Sequence, residues 1–231
     1  MKALLYKEFK LAMHPICYIF VFVFPFMVLI PSYPIAIGFI YILCCYPILF
    51  LGANKGQQSN DLLYSTLLPV RKKDIVLARI LTVAIMQATF ILVMSALVPL
   101  AFLIQESIIA VSPENAAPEI PGLGLEGFVS VLGIAIIGYA IADLIFFPIY
   151  YKHGKSIVMS TLLTILGFVT YIIVFTVVIP YIKGLEGYKT FLCDSGLGYQ
   201  FIVLGVALLI YAATHFLVYK ISAKRLEKVD F

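Results

Sequence analysis

Ile75-Val-Leu-Ala-Arg-Ile-Leu-Thr-Val-Ala-Ile-Met-Gln-Ala-Thr-Phe-Ile-Leu-Val-Met-Ser-Ala-Leu-Val-Pro-Leu-Ala-Phe-Leu-Ile104 holds one charged side chain, Arg79, near its start. From Ile80 onward it is uncharged for longer than the ~20 residues a helix needs to cross bilayer hydrocarbon. No water reaches the backbone there, so a helix, which bonds its own N–H and C=O groups, is the form such a run takes. Five further runs read the same way: Ile16–Pro31, Pro34–Ala53, Gly127–Tyr151, Ile157–Ile182 and Phe201–Tyr219. Composition agrees, with 63% hydrophobic and 12% charged residues against about a quarter charged in soluble domains. Mean hydropathy is +1.07. Nothing left between the runs is long enough to bury a core of its own. The expected fold is all-α and integral to the membrane, one domain over residues 1–231 with six transmembrane helices.

Orientation follows from the basic residues. With the N-terminus inside, the inner segments hold Lys2, Lys7, Lys10, Lys55, Arg71, Lys72, Lys73, Arg79, Lys152, Lys155, Lys220, Lys224, Arg225 and Lys228. Only Lys183 and Lys189 of the sixteen fall outside. Lys and Arg are retained on the cytoplasmic side, so both termini are expected there. Pro31-Ser-Tyr-Pro34 reads as a tight turn between the first two spans, with Pro34 suited to a first helical turn.

Residues 1–14 form an expected interfacial helix. Leu5, Phe9, Ala12 and Met13 lie along one stripe and Lys7 and Lys10 on another, the pattern of a helix lying in the inner interface with its apolar side down. His14-Pro15 supplies a break before the first span. A signal peptide is a poorer reading, because the region before the run is itself patterned and a second span follows at once. The outer loops, 105–126 and 183–200, have the opposite character. The first holds Glu106, Glu114, Glu119 and Glu126 and no base. It reads either as a solvated loop or as an acidic vestibule for cations.

The inner loop 54–78 is the most informative segment for function. Ser59-Asn60-Asp61 offers N-cap residues for a short helix. Leu62, Leu63, Thr66 and Leu67 then repeat at helical spacing, beside Tyr64 and Leu68, and Pro69 ends the helix. Arg71-Lys72-Lys73 marks the headgroup level, and Asp74 is expected to cap the third span. An apolar helix face in an inner loop calls for a partner, either the membrane surface or a cytosolic protein.

The stretch Thr66-Leu-Leu-Pro-Val-Arg-Lys-Lys-Asp-Ile-Val-Leu-Ala-Arg-Ile-Leu81 resembles the loop after the second span in permease subunits of ABC-2 type transporters. The plan of interfacial helix, six spans and inner termini is similar over the whole chain. Within that family the chain resembles the small permeases of the Gram-positive phenol-soluble modulin exporters, although its third-to-fourth loop is at least as long as the outer loop before the last span. The resemblance implies a coupling helix at Asp61, Leu62, Leu63, Tyr64, Thr66, Leu67, Leu68 and Pro69, seated in a separate ATP-binding cassette subunit. It also implies a dimer with a second copy or a homologous permease, and outward transport across a bacterial plasma membrane. Lys152, His153 and Lys155 mark a second inner loop.

Absent motifs narrow the chemistry. The nearest string to a phosphate-binding loop, Gly52-Ala-Asn-Lys-Gly-Gln-Gln-Ser59, has neither the glycine spacing nor the lysine that GxxxxGK[ST] requires. ATP and Mg are therefore expected on the partner subunit, with no cofactor and no catalytic residue in this chain. No zinc site is expected, since Cys17, Cys44, Cys45 and Cys193 are not paired with histidines. His14, His153 and His215 stand apart in sequence and read as isolated interfacial polar residues. Membrane lipid is an expected partner; nucleic acid is not.

Asp143 is the one acid deep in an apolar run. It reads either as a structural partner near the inner surface, toward Lys152 and Lys155 or across a dimer, or as part of the transport path. The rival function is a secondary transporter or channel, for which one intramembrane acid is a meagre ligand set. Walls of Leu, Ile, Val and Phe suit an amphipathic peptide or lipid-like cargo better than a bare ion.

Overall fold

The computed structural model describes residues 2–13, 15–29, 65, 69–111, 127–153, 157–175 and 196–228. Every element among them is helical: α1 (Lys2–Lys7), α2 (Ile16–Val23), α3 (Lys72–Val111), α4 (Phe128–His153), α5 (Ile157–Ile173) and α6 (Leu197–Glu227). Three are long and apolar enough to cross a membrane, over Lys72–Ile104, Phe128–Lys152 and Leu197–Glu227. Ile16–Leu29 and Val158–Ile173 are shorter apolar helices. The expected second span, Pro34–Ala53, lies outside the described residues, as does most of the inner loop.

Helix α1 opens into a π-helical turn, Glu8–Ala12, and Met13 then leaves helical geometry at φ −79° and ψ 130°. Helix α2 then starts at Ile16, directly after Pro15. Helix α2 tightens at Phe24 into a 3₁₀ stretch, Phe24–Leu29. Pro25 is the physical reason, since it has no N–H to give to the Val21 carbonyl.

Helix α3 begins at Lys72, so Asp74 sits within its first turn rather than at the cap. There the carboxylate meets the positive end of the helix dipole and pairs with Arg71 at 3.1 Å. At the other end α3 runs to Val111, beyond the expected boundary at Ile104. Gln105-Glu-Ser-Ile-Ile-Ala-Val111 contains no Gly or Pro, and helix breakers first appear at Pro113. The first part of the expected outer loop is therefore helix. At 40 residues and 1.5 Å per residue, α3 is about 60 Å long, twice the bilayer hydrocarbon of about 30 Å.

Helix α4 is the centre of the packing. Of its most apolar stretch 67% is buried, against 39% for that of α3 and 11% for that of α6. It packs against α5 on one side and α6 on the other, and its glycines permit both approaches. A Cβ on Gly133 would lie 3.3 Å from Val203 Cγ1 and 3.4 Å from the Leu204 backbone in α6. A Cβ on Gly138 would lie 2.5 Å from the Phe168 ring of α5. Nearby, the Tyr171 hydroxyl donates to the Ile134 carbonyl at 2.9 Å. Small residues at such crossings let membrane helices gain dispersion contact where lipid offers no hydrophobic drive. At its inner end Phe146, Phe147, Tyr150 and Tyr151 form a buried aromatic cluster.

Helix α6 presents only a narrow stripe to the protein, through Gln200, Ala207, Val218, Ser222 and Leu226. The rest of its apolar surface, Leu209 at 72% exposure for one, faces outward.

Candidate functional site

Polar side chains buried among membrane helices are costly unless paired, so their placement shows where the fold has spent stability. The charged ones, with the side chains bonded to them, gather in two layers along the seam of α3, α4 and α6.

The inner layer is built on Arg79, 3% exposed in the second turn of α3. Its guanidinium donates to both carboxylate oxygens of Glu8, from Nε to Oε2 at 3.1 Å and from Nη2 to Oε1 at 3.4 Å. Nη1 donates to the Tyr150 hydroxyl of α4 at 3.1 Å. Lys7 lies 3.4 Å from Glu8 Oε1, and its ammonium donates to the Ser65 hydroxyl of the inner loop. Ser65, Lys7, Glu8, Arg79 and Tyr150 thus form one chain through the inner loop, α1, α3 and α4. In α6, Arg225 donates to the Pro148 carbonyl of α4.

This arrangement corrects the expected orientation of the N-terminal helix. Lys7 and Glu8 are buried and face the protein, while Tyr6 is 60% exposed. The physical reason is Arg79, whose charge needs a counter-ion once the inner end of α3 is covered. The sequence stripe missed this because it weighed only hydrophobicity, and Glu8 lies 71 residues from its partner.

The second layer lies deeper, about 12 Å outward along α3 from Arg79 to Gln87. Asp143 is fully buried in α4. Gln87 Nε2 donates to its Oδ2 at 3.2 Å, and the Tyr211 hydroxyl of α6 donates to Gln87 Oε1 at 2.6 Å. His215 Nε2 stands 3.3 Å from Asp143 Oδ2, close enough for an ion pair although bent from hydrogen-bond geometry. His215 Nδ1 lies 3.0 Å from the Tyr211 carbonyl oxygen, and the two rings are 4.0 Å apart. Long side chains make these links between α3 and α4.

Of the two readings of Asp143, the partners described are within the chain, and Lys152 is exposed at the end of α4 while Asp143 is buried. His215 is not an isolated interfacial residue. One sequence signal was available: Asp143 lies nine residues before Lys152 and His215 nine before Lys224, which sets both at one depth when the inner ends are aligned.

Of the expected coupling residues, Asp61, Leu62, Leu63, Tyr64, Thr66, Leu67 and Leu68 lie outside the described residues, as does Lys155. Pro69 is exposed at the bend before α3 and His153 is the last residue of α4. Among the described residues no three His, Cys, Asp or Glu side chains converge as metal ligands.

Comparison with known families adds what geometry does not. A family model described as ABC-2 family transporter protein matches residues 3–223. The chain belongs to the ABC-2 transporter family. Neither curated proteins nor solved structures give a match. The match runs from α1 to the inner end of α6, so both layers of this ABC-2 protein fall inside it except Arg225. Family and apolar helices together make the chain a multi-pass membrane permease of an ATP-binding cassette exporter, with such a cassette as partner.

Proposed function

We propose that this permease forms one six-span half of an exporter for amphipathic peptides, paired with a second copy or a homologous permease. A separate ATP-binding cassette subunit carries ATP and Mg, and the stroke of that subunit enters through the inner loop at Asp61–Pro69. The family match over residues 3–223 carries this reading. The contact of Lys7 with Ser65 supports it, because it ties that loop to α1 and through Glu8 to α3. The cargo reading rests on the walls: these helices offer apolar side chains along most of their length, and Asp143, Gln87 and Tyr211 are bonded to one another across the seam. Among the described residues an ion would find few side chains to replace its water, whereas the apolar side of a peptide helix slides along such a wall.

The test is reconstitution with the cognate ATPase. Turnover should rise with an amphipathic helical peptide and stay flat with sodium ions or a sugar. Stimulation by sodium or sugar alone would remove the peptide assignment. Leu67→Asp should leave the permease inserted and weaken ATPase copurification or uncouple turnover from transport. Normal binding and coupling in that variant would reduce the loop to a connector.

A further inference from the structure

Helix α6 carries its charge at one end. From Leu197 to Tyr219 it has no Lys, Arg, Asp or Glu. That run is about 34 Å of helix, enough to cross hydrocarbon of about 30 Å with a modest tilt. Lys220 is therefore rooted where the hydrocarbon ends. Lys224 and Lys228 follow at steps of about 6 Å through the headgroup layer to its edge. Lys228 directly follows the helix and keeps helical backbone angles, φ −84° and ψ −9°.

The four-residue spacing sets the three lysines on one stripe. All three are exposed, and the stripe lies opposite the one that α6 gives to the protein through Val218, Ser222 and Leu226. Toward the apolar run the same stripe continues in Ala213, Phe216 and Leu217, which are exposed as well. Arg225 is turned away from it, to the Pro148 carbonyl of α4. Glu227 is the acid on this side, beyond Lys224. Among the described residues no ion pair joins it to any of the three lysines.

The posture of Lys220 says what the stripe faces. Its ammonium lies over the Phe216 ring, 4.4 Å from the centroid. Phe216 is one turn back, so the charge is folded along the apolar run. A lysine at this boundary with only water for a partner extends the other way. The ring covers one side of the ammonium, and in the headgroup layer the anion that meets the other side is a phosphate. Lys224 reaches the same group, because side chains on a helix slant toward its N-terminal end. Two charge-assisted bonds of about 2.8 Å then bracket one phosphate.

We propose that this stripe of α6 binds an anionic phospholipid, with the phosphate between Lys220 and Lys224 and an acyl chain along Phe216, Leu217 and Ala213. Charge sets the class of lipid. A zwitterionic headgroup brings its own ammonium, which three lysines repel; a headgroup of net negative charge does not. A second copy of the chain is a poorer occupant, because side by side in the membrane it brings the same lysines to the same depth. The site depends on neither the cargo nor the ATPase.

The chain contains no tryptophan, so Leu217→Trp places a single fluorophore on the stripe. The full chain is reconstituted in nanodiscs of phosphatidylcholine and phosphatidylglycerol, with one or the other lipid brominated on its acyl chains. Bromine quenches only a neighbouring tryptophan, so the exchange constant between the two lipids is read at this place. Phosphatidylglycerol should be preferred by about 25-fold, on the basis of roughly fivefold for each of two lysines. Lys220→Gln with Lys224→Gln should bring the preference close to one. A preference near one with both lysines in place overturns the proposal, whether or not the variants fold. An unchanged preference in the folded double variant overturns it too, since the charge would then act diffusely. Quenching by neither lipid would mean that protein covers the stripe, and would also overturn it.

Discussion

Glu8 shows how one residue can orient an element. Its carboxylate is held by Arg79, and both are almost wholly covered. Taking one partner away leaves a buried charge, which typically costs ~3–5 kcal/mol, although the intact pair adds little net stability over an apolar substitute. Glu8→Gln is therefore expected to lower the unfolding midpoint in detergent strongly. Glu8→Gln with Arg79→Met should recover part of the loss, because the guanidinium is no longer orphaned while Lys7 still lacks the carboxylate. A double-mutant cycle measures this, and additive losses would show that the two side chains do not act as a pair. Tyr150→Phe removes only the hydroxyl that Arg79 reaches and should cost about 1.5–3 kcal/mol, as for a hydrogen bond to a charged group.

Among elements, the contact of α4 with α5 rests on the absence of a side chain. A Cβ on Gly138 would press on the Phe168 ring at 2.5 Å and on Tyr171 at 3.2 Å. Gly138→Ala should destabilise by about 1–3 kcal/mol, the usual cost of overpacking, read as a lower melting temperature. Phe168→Leu combined with it should restore part, since the obstacle is the ring. The sequence made most helices legible at this scale, because uninterrupted apolar runs have few alternatives. The far end of α3 was missed because the acids and serine of Gln105–Ser107 look loop-like while breaking nothing. The tightening of α2 at Phe24 was legible in Pro25. Burial of Lys7 and Glu8, and the meeting of Asp143 with His215, were not, since both depend on which helix faces which.

For the whole molecule the orientation is the first thing to test. Fourteen basic residues on one side against two on the other should place Lys72 in the cytosol and Glu114 outside. In a cysteine-free background, a membrane-impermeant thiol reagent applied to intact cells should label a cysteine at position 114 and leave one at position 72 untouched. The reverse pattern would invert the molecule. The outward surface of α6 is read at the same scale. Only 11% of its most apolar stretch is buried in the single chain, which leaves room for lipid or for the second copy proposed above. Cysteines at Leu209 should cross-link between two copies if α6 lines the dimer contact and should fail to do so if lipid covers it.

The length of α3 has a mechanical side. A rod of about 60 Å, gripped near its inner end through Arg79 and again at Gln87, is a lever with unequal arms. From Gln87 inward to Arg79 is about 12 Å, and outward to Val111 about 36 Å. With Gln87 as fulcrum, a push of 1 Å at the short arm becomes a swing of about 3 Å at the far tip. Pro99 sits on the long arm, where a missing backbone hydrogen bond makes the rod easiest to bend. On the coupling proposed above, how much of a stroke from the cytosol arrives at the outer face is set by the stiffness of the helix at that one residue.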